Sequence, residues 1–202
     1  MRRGLFGGSF DPIHLGHLAV ARAALAELGL EQVVFLPTAR PPHKPEREFA
    51  PALSRYAMAE IALLDEPAFV VSDAELAADR PVYTIETLAR FRAESPADEL
   101  VLIVGADSLA SFDTWRSWEE ILASTELGVV VRPGWEWKRV APTLAPPLAG
   151  AIARARLRWV RSVAHPASAT EIRRLLRGGE RLPDGWIDPR VLAFTSKYSL
   201  YR

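Results

Sequence analysis

The chain has 202 residues, of which 49% are hydrophobic and 25% charged, and equal numbers of basic and acidic side chains leave no net charge at pH 7. This balance argues against nonspecific nucleic-acid binding, and the absence of cysteine excludes disulfides, zinc–thiolate sites and thiol nucleophiles. No apolar run is long enough for a membrane helix, and glycines at positions 7 and 8 interrupt the N-terminal segment before a signal peptide could form. We therefore expect a cytoplasmic protein with a single domain over residues 1–202, no nucleic-acid partner and no membrane partner.

Apolar runs bounded by turn residues alternate with helical patterns, in which apolar residues recur every three or four positions. In chain order we expect a strand at 4–6, a helix at 14–28, a strand at 32–37, a proline-rich loop at 37–51, a helix at 52–64, a strand at 69–71, a helix at 84–94, a strand at 100–104, a helix at 115–122, a strand at 127–131, a proline-rich surface excursion at 133–147, a strand at 157–160, and helices at 168–177 and 189–194.

Because the strands are continuous apolar runs that alternate with helices, the pattern predicts an α/β fold. We expect a Rossmann-like doubly wound parallel sheet with helices on both faces and a small helical part at the C-terminal end. Ligands of such sheets bind at the carboxyl ends of the strands, near the point where the strand order reverses. The loops that directly follow strands are therefore the candidate sites, at 7–17, 38–44, 105–108 and 132–134.

The first of these loops carries two glycines and two histidines. Gly7 and Gly8 follow the first strand, although their spacing matches neither the dinucleotide fingerprint nor a Walker A loop. His14 and His17 are three residues apart in the first turn of a helix, where the helix dipole disfavours a protonated imidazole. A bound polyphosphate would reverse that balance. The alternative is one solvent-exposed histidine and one core histidine.

Two further segments carry candidate ligands. The sequence from Ser168 to Glu171 has the form of a capping box, so a helix should begin at Ser168 with Arg173 one turn inside it, able to offer a fork to phosphate. A well-capped structural helix is the alternative, and it is compatible with this role. Asp107 follows an apolar strand and Gly105, where a carboxylate suits ribose hydroxyls or else caps the next helix.

The segment from Gly7 to His17 resembles the opening of the nucleotidylyltransferase superfamily, whose hallmark is (His/Thr)-x-Gly-His. Within it the sequence is most similar to the bacterial nicotinate-mononucleotide adenylyltransferases. The segments that carry this second resemblance follow in family order: Pro41-Pro42-His43-Lys44, Tyr83-Thr84, Gly105-Ala106-Asp107-Ser108-Leu109, Thr114-Trp115, Arg132-Pro133-Gly134 and Ser168 to Arg173. Ala167 and Ala169 depart from the pattern, since the family more often has Ile and Ser there.

The resemblance implies that a mononucleotide phosphate attacks the α-phosphorus of ATP, with no covalent enzyme intermediate. The catalytic residues it implies are His14, His17, Lys44 and Arg173. For ATP binding it implies Gly7, Gly8, Ser9, Phe10, Gly16, Gly105, Asp107, Ser168 and Thr170. For nicotinate mononucleotide it implies Tyr83, Thr84, Trp115, Arg116 and Arg132.

Within that set, Trp115 would stack on the nicotinate ring, and backbone amides near Thr84 and Arg116 would receive its carboxylate. Lys44 would act as a mobile point charge for phosphate, the alternative being a solvated loop lysine. His43 receives no role. Mg²⁺ is expected to arrive on the ATP phosphates, because the sequence has no cluster with the spacing of a dedicated metal site.

Two other functions stay open on the sequence. One is pantetheine-phosphate adenylyltransferase or another small nucleotidylyltransferase, although these should lack the Pro-Pro-His-Lys loop. The other is a noncatalytic nucleotide-binding regulator on the same fold, which loss of His17, Lys44 or Arg173 would have favoured. The implied partners are ATP and nicotinate mononucleotide, and a homo-oligomer is left open.

Overall fold

A computed structural model describes residues 1–39, 49–76, 80–131, 141–161 and 164–202. A six-stranded sheet forms its centre, with every neighbouring pair of strands parallel. The strands are β1 (Arg2–Gly8), β2 (Gln32–Pro37), β3 (Phe69–Val71), β4 (Glu99–Gly105), β5 (Glu126–Val131) and β6 (Leu157–Arg161). Their order is β3-β2-β1-β4-β5-β6, which confirms the predicted Rossmann-like doubly wound sheet.

Helices connect and flank these strands. In the described part of the chain they are α1 (Leu15–Leu28), α2 (Ala52–Ala62), α3 (Thr84–Glu94), α4 (Ala106–Leu109), α5 (Trp118–Ser124), α6 (Pro146–Ile152), α7 (Ala169–Arg177) and α8 (Pro189–Lys197), with short 3₁₀ turns at Phe112–Thr114 and Ala141–Thr143. None of them is long and apolar enough to cross a membrane.

Two predicted elements differ from the structure. The helix expected at 115–122 begins only at Trp118, because Trp115 is extended and Ser117 takes a left-handed φ of 53°. Residues 133–140 of the expected surface excursion lie outside the described residues, and its last part differs from the prediction because α6 begins at Pro146. Proline suits the first turn of a helix, where its missing N–H has no intrahelical partner. The prolines that suggested a loop there include one that begins a helix.

Each face of the sheet has its own core, because successive residues of a strand point to opposite faces. One core packs Leu18 of α1, Met58 of α2, Ile172 of α7 and Val191 of α8 against one face. The other packs residues of α3, α5 and α6 against the opposite face, among them Leu88, Ile121 and Leu148. The helices expected on both faces are confirmed.

The strand order reverses between β1 and β4, whose chains continue to opposite sides of the sheet. This reversal opens a crevice at the carboxyl ends of the two central strands, where the loops after Gly8 and Gly105 begin. The backbone N–H of Thr38, after β2, donates to the carbonyl of Gly8 at 3.0 Å. That hydrogen bond holds the end of β2 beside the start of the glycine-rich loop.

Candidate active site

A cavity of about 910 Å³ occupies this crevice. Most residues predicted for the site line it: Gly7, Gly8, Ser9, Phe10, His14, Gly16, His17, Tyr83, Thr84, Gly105, Asp107, Trp115, Arg116, Ser168 and Thr170. The structure thus brings together segments from nearly the whole length of the chain. Lys44 and Arg132, together with His43, fall outside the described residues.

The two histidines lie in contact at the start of α1. The backbone N–H of His14, the N-cap residue, donates to Nδ1 of His17 at 3.2 Å. The two histidine rings stack with their centroids 3.7 Å apart, and the rings of His17 and Phe10 lie nearly perpendicular with their centroids 5.1 Å apart. Because Nδ1 of His17 accepts a hydrogen bond, the neutral ring carries its hydrogen on Nε2, which is then a donor for a ligand.

Gly16 makes this arrangement possible. A Cβ at position 16 would lie 2.9 Å from two atoms of the His14 ring, closer than side chains pack. Positive charge on both stacked rings, at the positive end of the α1 dipole, is unfavourable unless an anion is bound there. The pair therefore suits a polyphosphate. The alternative of one exposed and one core histidine holds only in part, because His14 is buried whereas His17 is half-buried, and both line the cavity.

The loop that leads to the histidines is fixed by a buried carboxylate. Asp11 is fully buried, and its Oδ1 accepts hydrogen bonds from the Ala50 N–H at 3.1 Å and from the Tyr201 hydroxyl at 2.8 Å. Burial, and then the nearby charge of Asp11, raise the pKa of Tyr201, so its hydroxyl stays a donor. Asp11 and Tyr201 were not among the predicted site residues, and a carboxylate inside a mostly apolar segment was the only local signal.

Arg173 lies on the other side of the same carboxylate. It is only 6% exposed, and its Nη1 donates to the Asp11 carbonyl at 2.5 Å and lies 3.8 Å from Asp11 Oδ2. Its Nη2 donates to Thr170 Oγ1 at 3.1 Å. Arg173 is not among the residues that line the cavity, although Thr170 is. The predicted contact between Arg173 and phosphate stays a prediction. The structure shows in addition that Arg173 supports the loop that leads to His14 and His17.

The start of α7 has the predicted cap. Ser168 is the N-cap residue, and its Oγ accepts the Glu171 N–H at 3.2 Å. The Glu171 carboxylate accepts from Arg174, which also pairs with Glu180 at 2.8 Å and is exposed. Adjacent arginines thus point in different directions: Arg173 points inward and Arg174 toward solvent.

Asp107 lies at the opposite wall, in the first turn of α4. Gly105 is the N-cap residue of this short helix, so the alternative that Asp107 caps it is wrong. A Cβ at position 105 would lie 2.2 Å from Oδ1 of Asp107, so glycine allows the carboxylate to fold back over the strand end. Asp107 is exposed to the cavity, where its oxygens can accept hydrogen bonds from ribose hydroxyls.

Aromatic side chains line the part of the cavity next to the start of α3. The Trp115 ring stacks on the fully buried Phe112, with centroids 4.7 Å apart and planes 27° apart. The guanidinium of Arg116 lies 5.0 Å from the Tyr83 ring and 3.9 Å from a Glu86 oxygen. The charge of Arg116 is therefore partly balanced by Glu86, and the rings offer flat surfaces to an aromatic ligand.

Two buried charged residues near the cavity were not predicted. Arg55 of α2 is 1% exposed and donates to three carbonyls, those of Ser9 at 2.7 Å and of Ala39 and Ala50 at 3.0 Å. These hydrogen bonds connect the glycine-rich loop to Ala39 and Ala50, which lie on either side of residues 40–48. Burial lowers the pKa of Arg55. The second residue is Glu75, which lines the cavity and is 7% exposed.

Comparisons with known proteins agree with this geometry. A family model described as "Cytidylyltransferase-like" matches residues 5–175. A chain of Symbiobacterium thermophilum named "Probable nicotinate-nucleotide adenylyltransferase" is 41% identical, over 99% of this chain and 95% of its own length. A chain of the same name from Thermus thermophilus is 42% identical over the full length of both. The solved nicotinic acid mononucleotide adenylyltransferase of Plasmodium falciparum, complexed with NaAD, has a TM-score of 0.80 over 99% of this chain and 97% of its own, and at 16% identity it bears on the fold.

Proposed function

The chain belongs to the cytidylyltransferase-like family, and from this we propose that it joins nicotinate mononucleotide to the AMP moiety of ATP, giving deamido-NAD and pyrophosphate in NAD biosynthesis. The observation that carries the proposal is one cavity with a stacked histidine pair at a helix N-terminus on one side and the Trp115 and Tyr83 rings on the other. The first suits phosphates and the second suits a pyridine ring.

In the proposed reaction a phosphate oxygen of the mononucleotide attacks the α-phosphorus of ATP. A new P–O bond forms, the bond from the α-phosphorus to the bridging oxygen breaks, and pyrophosphate leaves with that electron pair. Negative charge builds on the oxygens around phosphorus, and donors already in place stabilise it. His14 and His17 supply such donors, with His17 nearest the reacting phosphorus, and Asp107 holds the adenosine ribose.

Mg²⁺ enters in this proposal bound to the phosphates of ATP, where it balances their charge. Among the residues that the structure describes, no group of three histidine, aspartate or glutamate side chains is placed to hold a metal ion. Oxygen atoms of phosphate and water are the ligands that Mg²⁺ prefers, so a nucleotide-borne ion suits this cavity.

We expect the enzyme to prefer nicotinate mononucleotide over nicotinamide mononucleotide by at least about tenfold in kcat/KM. Tyr83 is the N-cap residue of α3, so the amide of Thr84 has no partner within the helix and can donate to a carboxylate. The NH₂ group of nicotinamide would instead place its hydrogens against this N–H donor, where no hydrogen bond can form. Pyrophosphate release with ATP and each mononucleotide, and with pantetheine phosphate, measures this.

Each outcome of that assay separates the candidates. Equal efficiency with both pyridine mononucleotides contradicts the acid preference alone. Turnover only with pantetheine phosphate contradicts the proposed function, and tight nucleotide binding without any pyrophosphate release favours a noncatalytic regulator.

Replacement of Trp115 by alanine should raise KM for the mononucleotide about tenfold or more, because the stacking face is lost, and change KM for ATP much less. Trp118→Ala is the matched control, since Trp118 packs against a core and does not line the cavity. Steady-state kinetics with each substrate varied in turn give both values. A Trp115→Ala defect confined to ATP contradicts the stacking role.

A further inference from the structure

Glu75 is a buried carboxyl group that the proposed reaction has not used. It lies in the turn after β3, four residues beyond Val71, at the same edge of the sheet as the cavity. The Ala74 carbonyl next to it accepts from Arg90 of α3 at 3.2 Å, which fixes the backbone of the turn against that helix. Glu75 therefore points into the cavity from an anchored position rather than from a free loop.

Two threonines hold its side chain. Thr87 of α3, itself buried, donates its hydroxyl to Glu75 Oε1 at 2.9 Å, and the Thr38 hydroxyl also hydrogen-bonds to the carboxylate. Thr38 is tied through its backbone to Gly8, and Thr87 lies one turn from Tyr83 and Thr84. Glu75 thus lies between the glycine-rich loop and the start of α3.

The position matters because those two regions bind different parts of the mononucleotide in the proposed function. The glycine-rich loop faces phosphate, and the start of α3 faces the pyridine ring. In a mononucleotide the group that joins ring to phosphate is ribose. The wall between the two regions is therefore the wall that ribose meets.

The chemistry of Glu75 fits ribose better than it fits either end of the ligand. Burial raises the pKa of Glu75, while its two threonine donors act in the opposite direction. Among the described residues no arginine, lysine or histidine forms an ion pair with it. A charged carboxylate here would repel phosphate and nicotinate. A ribose hydroxyl, in contrast, donates to a carboxylate and accepts from a carboxylic acid, so the hydrogen bond forms in either state.

We propose that Glu75 binds a ribose hydroxyl of the pyridine mononucleotide and makes the enzyme selective for ribonucleotides over deoxyribonucleotides at this position. The inference rests on the proposed function, since it takes the mononucleotide as the ligand of this wall. A site that holds a substrate hydroxyl discriminates against the analogue that lacks it, because the polar group of the protein is then left without its partner.

The test compares wild type, Glu75→Ala and Glu75→Gln with nicotinate mononucleotide and its 2′-deoxy and 3′-deoxy forms. Wild type should use one deoxy form at least about tenfold less efficiently, and Glu75→Ala should use that form and the ribonucleotide within about threefold of each other. KM for the ribonucleotide should rise about tenfold, with KM for ATP changed less than about twofold. Glu119→Gln, an exposed carboxylate of α5 outside the cavity, is the control and should match wild type.

Glu75→Gln is the conservative variant: its amide oxygen can still accept from Thr87 and its NH₂ can donate to a ribose hydroxyl, so it should melt within a few degrees of wild type and keep most of the discrimination. If Glu75→Ala does not fold, Glu75→Met decides the question, because its side chain has a similar length and no group that bonds strongly to a hydroxyl, and it should lose most of the discrimination between ribo and deoxy forms. Full wild-type discrimination against both deoxy forms in a folded Glu75→Ala or Glu75→Met variant overturns the proposal, as does an equal rise in KM for ATP. Wild type that makes no pyrophosphate from nicotinate mononucleotide contradicts the proposed function itself, which is a different result.

Discussion

Replacement of His17 by alanine should lower kcat by roughly 100- to 1,000-fold, the usual cost of losing a donor aimed at transition-state charge. Nδ1 of His17 is taken by the His14 N–H, which directs the Nε2 hydrogen away from the backbone. The ring is also held between His14 and Phe10, so it does not need to be ordered during the reaction. Positioning of this kind acts on the chemical step, and KM for either substrate should change much less.

The measurement is kcat at saturating ATP and mononucleotide, together with the melting temperature of each variant. His165→Ala is the matched control: His165 also lines the cavity, but from the segment before α7 and not from the first turn of α1. We expect its loss of kcat to be below about tenfold. A folded His17→Ala variant with kcat within about threefold of wild type contradicts the role assigned to His17.

Replacement of Arg173 by alanine should lower both activity and stability. The change removes the guanidinium that lies 3.8 Å from the buried Asp11 carboxylate and that binds the Asp11 carbonyl. Loss of one partner of a buried ion pair costs about 3 to 5 kcal/mol in the free energy of unfolding. In a chain of this size that lowers the melting temperature by roughly 6 to 20 °C.

Arg174→Ala is the internal control for that variant. Arg174 is exposed and its partners are Glu171 and Glu180, so its loss should change stability and turnover little. Equal and small effects of the two substitutions would indicate that α7 is merely a capped helix. Urea unfolding and steady-state kinetics on both variants distinguish these results.

A double variant separates the two roles of Arg173. Asp11→Asn in the Arg173→Ala background removes the buried charge and should recover part of the stability. If Arg173 also contacts ATP, kcat and KM for ATP should not recover with it. Recovery of both activity and stability would assign Arg173 to loop support alone and contradict its predicted contact with phosphate.

Local patterns were sufficient for most of the fold. The start of α7 was predicted because the capping box lies within four residues of sequence, and the strands because each is an apolar run between turn residues. The predicted start of α5 was wrong because Ser117 takes a left-handed conformation, which sequence usually signals by a glycine or an asparagine and not by a serine. The short helix α6 was missed because proline favours both loops and first helical turns.

The site was predicted less completely, for a different reason. Residues that belong to a short motif, such as His14 and His17, could be recognised from spacing alone. Arg55 and Glu75 could not, because the partners of a buried polar side chain are set by tertiary structure. Arg55 binds a carbonyl 46 residues away, and Glu75 binds a hydroxyl 12 residues away on another element. Nothing in their local sequence distinguishes them from surface charges.

The hydrogen bond from Tyr201 to Asp11 joins residues 190 positions apart in sequence. During synthesis the loop that carries the histidines leaves the ribosome early, whereas the hydroxyl that completes its buried carboxylate follows only after roughly 10 to 40 s of further elongation. For that interval Asp11 lacks one of its donors, so the carboxylate that supports the histidine loop is completed only when the last residues of the chain have been made.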